Sequence, residues 1–171
     1  TTENYNGQLT GQEGIHAFWE SRLPELFSND YDFFVGKASR IDQVQLAAWK
    51  AIEGSHQALD SVLILEKELS DRLGLSKYSF ETKGRQTAKV YSVEYSKAYH
   101  EILNGMVERQ MRSTIKMIGD LWYSAWVDAG QPDLKKLIHY KPTEEELKKK
   151  REEVDAWKKE QIKSRQHESD F

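Results

Sequence analysis

Apolar residues recur along this chain mainly at helical spacing, and that period predicts most of its elements. Ile15, Phe18, Trp19, Arg22 and Leu26 share one stripe of a first helix. Pro24 lies inside that pattern, so a kink or tightened turn is expected near Arg22–Leu23, with Ser28-Asn29-Asp30 ending the helix. Tyr31 to Lys37 reads as a compact aromatic connector that fills core. Ser39-Arg40-Ile41-Asp42 has the form of a capping box, and the stripe that follows runs from Val44 to Leu73. At about 30 residues this helix would span roughly 45 Å, with Gly54 a weak spot inside and Gly74 its C-cap.

The pattern breaks over Lys77–Val90, where Tyr78, Phe80 and Thr82 alternate ahead of Lys83-Gly84. An irregular loop or a short hairpin fits, carrying a small basic cluster of Lys83, Arg85 and Lys89 that is either solvated or phosphate-facing. From Ser92 the helical period returns through Tyr95, Tyr99, Leu103, Val107, Met111, Ile115 and Trp122 to Trp126. This should be the longest element, stopped by Gly130 and Pro132. Asp133–Tyr140 closes the domain as a short helix or turn. Thr143 to Glu146 is a second capping box, opening a solvated helix whose few large apolar residues include Leu147, Val154 and Trp157. Its end, from Lys163 to Phe171, is expected to fray. The fold class expected is all-α, with long antiparallel helices in a bundle. The division expected is a helical domain over 1–141 and a charged helical tail over 142–171.

Composition bounds the chemistry. The 171 residues allow one domain with a sizeable core, although only 38% are hydrophobic and 31% are charged. A net charge of −3 gives no general attraction for nucleic acid or an anionic membrane. With no cysteine, disulfides and thiolate metal sites are excluded. No stretch reaches transmembrane length and no signal peptide opens the chain. Serine-hydrolase elbows, P-loops and dinucleotide fingerprints are absent.

The candidate chemistry lies in the first helix. His16 and Glu20 stand four residues apart, so they offer an imidazole nitrogen and a carboxylate to one point in space. That suits half of a divalent metal site or a helix-stabilising pair. His56 and Asp60 repeat the spacing without a glycine-rich approach loop or an adjoining tryptophan, and a structural pair fits them better. His100, His139 and His167 read as structural or solvated.

Gly14-Ile15-His16-Ala17-Phe18-Trp19-Glu20 resembles the N-L-H-x-x-W-D signature of the zinc-dependent phospholipase C and single-strand-specific nuclease superfamily. Asn4, Asn6, Gly7, Gly11 and Gly14 supply the Gly- and Asn-rich loop that precedes this signature, and Asn4–Leu26 looks like the version in bacterial, mainly Bacteroidetes-type, members. Trp122–Leu134 adds to that likeness without any chemistry. Gly14, Ile15 and Glu20 depart from the family's Asn, Leu and Asp. The resemblance implies that His16 and Glu20 bind zinc, that the loop with Asn4 and Asn6 shapes substrate access, and that the parent is a periplasmic or secreted phosphodiester hydrolase. It also implies that an upstream H-x-x-x-D-x-x-x-P-x-H segment and further ligands belong before Thr1. The chain would then be a C-terminal portion with an incomplete site, inactive alone, pairing with the missing N-terminal part or dimerising through an uncovered apolar face. The competing reading is a non-catalytic helical scaffold or partner-binding module that has lost its metal site.

Overall fold

A computed structural model describes residues 4, 6–73, 77–84 and 86–159. The chain divides into two compact units, Thr1–Asp128 and Ala129–Phe171. It is mostly helical but not purely all-α, because an antiparallel hairpin of β1 (Tyr78–Lys83) and β2 (Gln86–Tyr91) interrupts the helices. The alternation of Tyr78, Phe80 and Thr82 is thus that of a strand, its residues facing Tyr91, Lys89 and Thr87. Among the described residues, no helix is long and apolar enough to cross a membrane.

The first helix is continuous but uneven: α1 (Ile15–Ala17) passes through a wide turn at Phe18–Arg22 into α2 (Leu23–Phe27). Of the kink or tightened turn expected at Pro24, the tightened turn does not form. Pro24 has no N–H for the Glu20 carbonyl, and the Leu23 N–H bonds instead to the Phe18 carbonyl, five residues back. The extra residue in that turn brings Leu23 onto the buried face beside Phe18 and Arg22. Ser28–Asp30 follows as one turn of 3-10 helix.

The periodicity located α3 at Val44–Leu73, while the Gly74 cap lies outside the described residues. Ser39–Asp42 is not its cap. This segment is extended, with the Ser39 N–H on the Asp120 carboxylate at 2.7 Å and the Ile41 N–H on Ser124 Oγ at 2.8 Å. The aromatic connector before it fills core only through Tyr31, since Phe34 is 80% exposed.

The predicted long helix from Ser92 is two helices, α4 (Val93–Ile102) and α5 (Met106–Asp128). Asn104 and Gly105 carry φ of 47° and 74°, left-handed values that end α4 and redirect the chain. Leu103 and Val107 are both buried across the break, so the apolar period runs over it unbroken.

The core of the first unit is aromatic. Phe18 stacks on Tyr91 at 3.8 Å between ring centres and on Tyr99 at 5.2 Å, with Leu23, Leu69 and Leu103 around them. Buried Arg22 docks the hairpin, its Nε donating to the Tyr91 carbonyl at 3.1 Å and its guanidinium pairing with Glu81. Outside this core, large side chains of α3 and α5 face solvent, among them Trp49 (60% exposed) and Trp122 (75%). In the second unit a 3-10 turn at Leu134–Leu137 precedes α6 (Glu144–Lys158), whose capping box between Thr143 and Glu146 forms as the sequence predicts.

Candidate metal-binding groove

The loop before α1 is built on tight backbone turns. Gly7 has a φ of 73°, and a Cβ there would meet the Gln12 carbonyl oxygen at 2.3 Å, so only glycine fits. The two asparagines staple this loop. Asn4 Oδ1 accepts the Leu9 N–H at 2.9 Å and its amide donates to Thr10, while Asn6 Oδ1 accepts the Gly14 N–H at 2.9 Å. Both therefore set the entry into α1. Asn6→Ala strands the part-buried Gly14 N–H and should cost about 1–2 kcal/mol in urea unfolding.

Gln12 ties the same loop to α3. Its amide donates to the Leu63 carbonyl at 2.8 Å and to Glu66 Oε2 at 2.7 Å. Glu66 is fully buried and also meets Lys77 Nζ at 2.6 Å and the Tyr95 hydroxyl at 2.6 Å. Burial pushes its carboxyl up, but hydrogen bonds from Lys77, Tyr95 and Gln12 outweigh this and hold it below its ordinary value. Sequence reasoning missed this hub. The available signal was a charged residue on the apolar stripe of α3, four residues after Val62 and three before Leu69.

These constraints place His16 and Glu20 on the wall of a groove of about 630 Å³. Ile15, Trp19 and Pro24 form one side, Leu59, Val62 and Leu63 of α3 a second, and Val107, Met111 and Ile115 of α5 a third. Asn4, Gln110 and Thr114 are among its polar lining, and no lysine or arginine among the described residues lines it. His16 Nε2 lies 3.2 Å from Glu20 Oε2, with side chains 20% and 66% exposed. Buried Trp19 Nε1 has no hydrogen-bond partner of ordinary geometry among the described residues. It still sits close enough to Tyr99 to offset part of the burial-driven rise in that phenol's pKa.

The distance of 3.2 Å suits a hydrogen bond and also a metal edge. Two ligands bonded at ~2.0–2.1 Å to one tetrahedral ion stand about 3.3 Å apart. The pair thus fits two corners of a zinc site. No group of three or more His, Asp or Glu among the described residues converges to complete one.

The other candidates are dispersed. His56 and Asp60 are exposed on α3 and form no ion pair with each other, so the hydrogen-bonded pair expected there is absent. His100 is structural, its Nε2 2.8 Å from the Tyr31 hydroxyl and its ring 4.3 Å from that of Phe27. His139 is exposed, and His167 lies outside the described residues. Of the basic cluster, Lys89 sits 3.9 Å from the Tyr78 ring centre, while Arg85 lies outside the described residues. In comparisons with protein-family models, with curated proteins and with solved structures, the chain matches none.

Proposed function

We propose that this chain forms one edge of the metal site, and the groove beside it, in a zinc-dependent phosphodiester hydrolase of phospholipase C or nuclease type. The observation that supports this is the His16–Glu20 edge at 3.2 Å on the wall of a mainly apolar groove. His16 and Glu20 would hold the ion, with the remaining donors supplied from outside the described residues. Zinc bound there would supply Lewis-acid chemistry for a phosphodiester and for a water. The chain's own residues do the positioning. Asn4 and Asn6 fix the loop, Gln12 anchors it to α3, and the groove's apolar sides exclude water from the bound phosphodiester. No lysine or arginine among the described residues lines the groove, so a bound metal would supply the charge compensation in this reading.

The test uses the full-length gene product. His16→Ala should reduce both bound zinc and phosphodiester hydrolysis by more than about a hundredfold, beyond what loss of a supporting residue causes. Unchanged zinc content and unchanged hydrolysis would overturn the reading. With two donors alone, the 171-residue chain should bind zinc weakly and turn over little.

A second reading is a helical scaffold without a metal. It is favoured by the 66% exposure of Glu20 and by the uncovered Trp49 and Trp122, which suit a partner-binding surface. A full-length protein that purifies without zinc and hydrolyses no phosphodiester would favour it.

A further inference from the structure

We propose that α6 pairs in parallel with α6 of a second copy of this chain. Leu147, Val154 and Trp157 form its apolar stripe and are 43%, 41% and 57% exposed. Leu147 and Val154 are seven residues apart and Trp157 follows three later, the spacing of a seam that a second helix covers.

The charges beside the stripe select the occupant. Glu146 and Glu153 recur at seven-residue spacing along one flank, and Arg151 and Lys158 along the other. In a parallel pair, each flank faces the opposite flank of its mate, so Glu153 of one copy meets Lys158 of the other twice over. In an antiparallel pair each flank faces itself, acid against acid and base against base. Charge complementarity therefore fits a second copy, in one orientation. Glu146 contributes less, because its Oε2 already accepts the Thr143 N–H at 2.7 Å within the capping box. Within α6 Lys148 pairs with Glu152 at 3.9 Å, and among the described residues neither Glu153 nor Lys158 has an ion pair inside the helix. Lys150 occupies the remaining seam position, which keeps the association weak and reversible.

Sedimentation equilibrium of the full chain tests this. The wild type should show a reversible monomer–dimer equilibrium. Glu153→Lys and Lys158→Glu should each weaken it about tenfold, two exposed pairs turning repulsive together. The double variant Glu153→Lys/Lys158→Glu should recover the wild-type affinity, although the introduced lysine still crowds Lys149 and Lys150 within the helix. A mixture of the two single variants should form a heterodimer tighter than either homodimer. A monomer at every concentration would overturn the proposal, and so would a dimer indifferent to Glu153→Lys or a double variant that fails to recover.

Discussion

Glu66→Ala is expected to destabilise the unit Thr1–Asp128 by about 3–5 kcal/mol in urea unfolding. The substitution leaves a buried gap and takes the carboxylate from the Lys77 ammonium, from the Gln12 amide, which keeps the Leu63 carbonyl, and from the Tyr95 hydroxyl, which keeps Ser70. The lower end of that range is expected, because the Lys77 side chain is 22% exposed and can turn toward water. Tyr95→Phe keeps the ring but removes the hydroxyl's hydrogen bonds to Glu66 Oε1 and to Ser70 Oγ, both at 2.6 Å, so it should cost about 1–3 kcal/mol. Acid provides a second signature. The Glu66 carboxyl is held below its ordinary value of 4.5, so its contribution is complete above that pH and is lost as pH falls through the folded value. The wild type should lose stability on acidification below about pH 4.5, and Glu66→Ala should show a shallower loss.

Phe18→Ala should be equally severe, costing about 3–5 kcal/mol through lost burial and the cavity left behind. Its ring is 1% exposed and lies flat on Tyr91, with an interplanar angle of 4°. It also opens the wide turn through Glu20, two residues beyond His16. Its loss therefore reaches the candidate site as well as the core. The thermal midpoint should fall markedly, and the amide resonances of His16 and Glu20 should shift although neither is mutated. A variant as stable as the wild type would mean that the aromatic stack does not hold the first unit together.

What the sequence revealed about the fold was mostly local. The period of α3 located Val44–Leu73, and the Thr143–Glu146 box located the start of α6, because those signals lie within one element. The break at Asn104-Gly105 was written in the residues, but apolar spacing from Leu103 to Val107 continued across it and concealed it. Ser39–Asp42 has the residue pattern of a helix cap, but the Ser39 and Ile41 amides bond instead to Asp120 and Ser124, some eighty residues on, which a local pattern does not encode. The hairpin was one of two open readings. Its docking depends on Arg22 reaching Tyr91 and Glu81, which strand alternation does not encode.

The candidate site divides the same way. His16 and Glu20 were legible from their spacing within one helix. The groove was not, since α1, α3 and α5 each contribute one wall through residues far apart in sequence. Glu66 lay in plain view on an apolar stripe, yet its partners Gln12, Lys77 and Tyr95 come from three other segments.

Zinc titration of the 171-residue chain, followed by nitrogen-15 NMR of the histidine rings, most directly tests whether His16 and Glu20 form a metal edge. His56 with Asp60 is a built-in control, having the same sequence spacing but lying exposed on α3. The expected result is a saturable shift of the His16 Nε2 signal at lower zinc than any change at His56, His100 or His139, abolished by Glu20→Gln. A His16 signal that moves no earlier than that of His56, or is indifferent to Glu20→Gln, would contradict it.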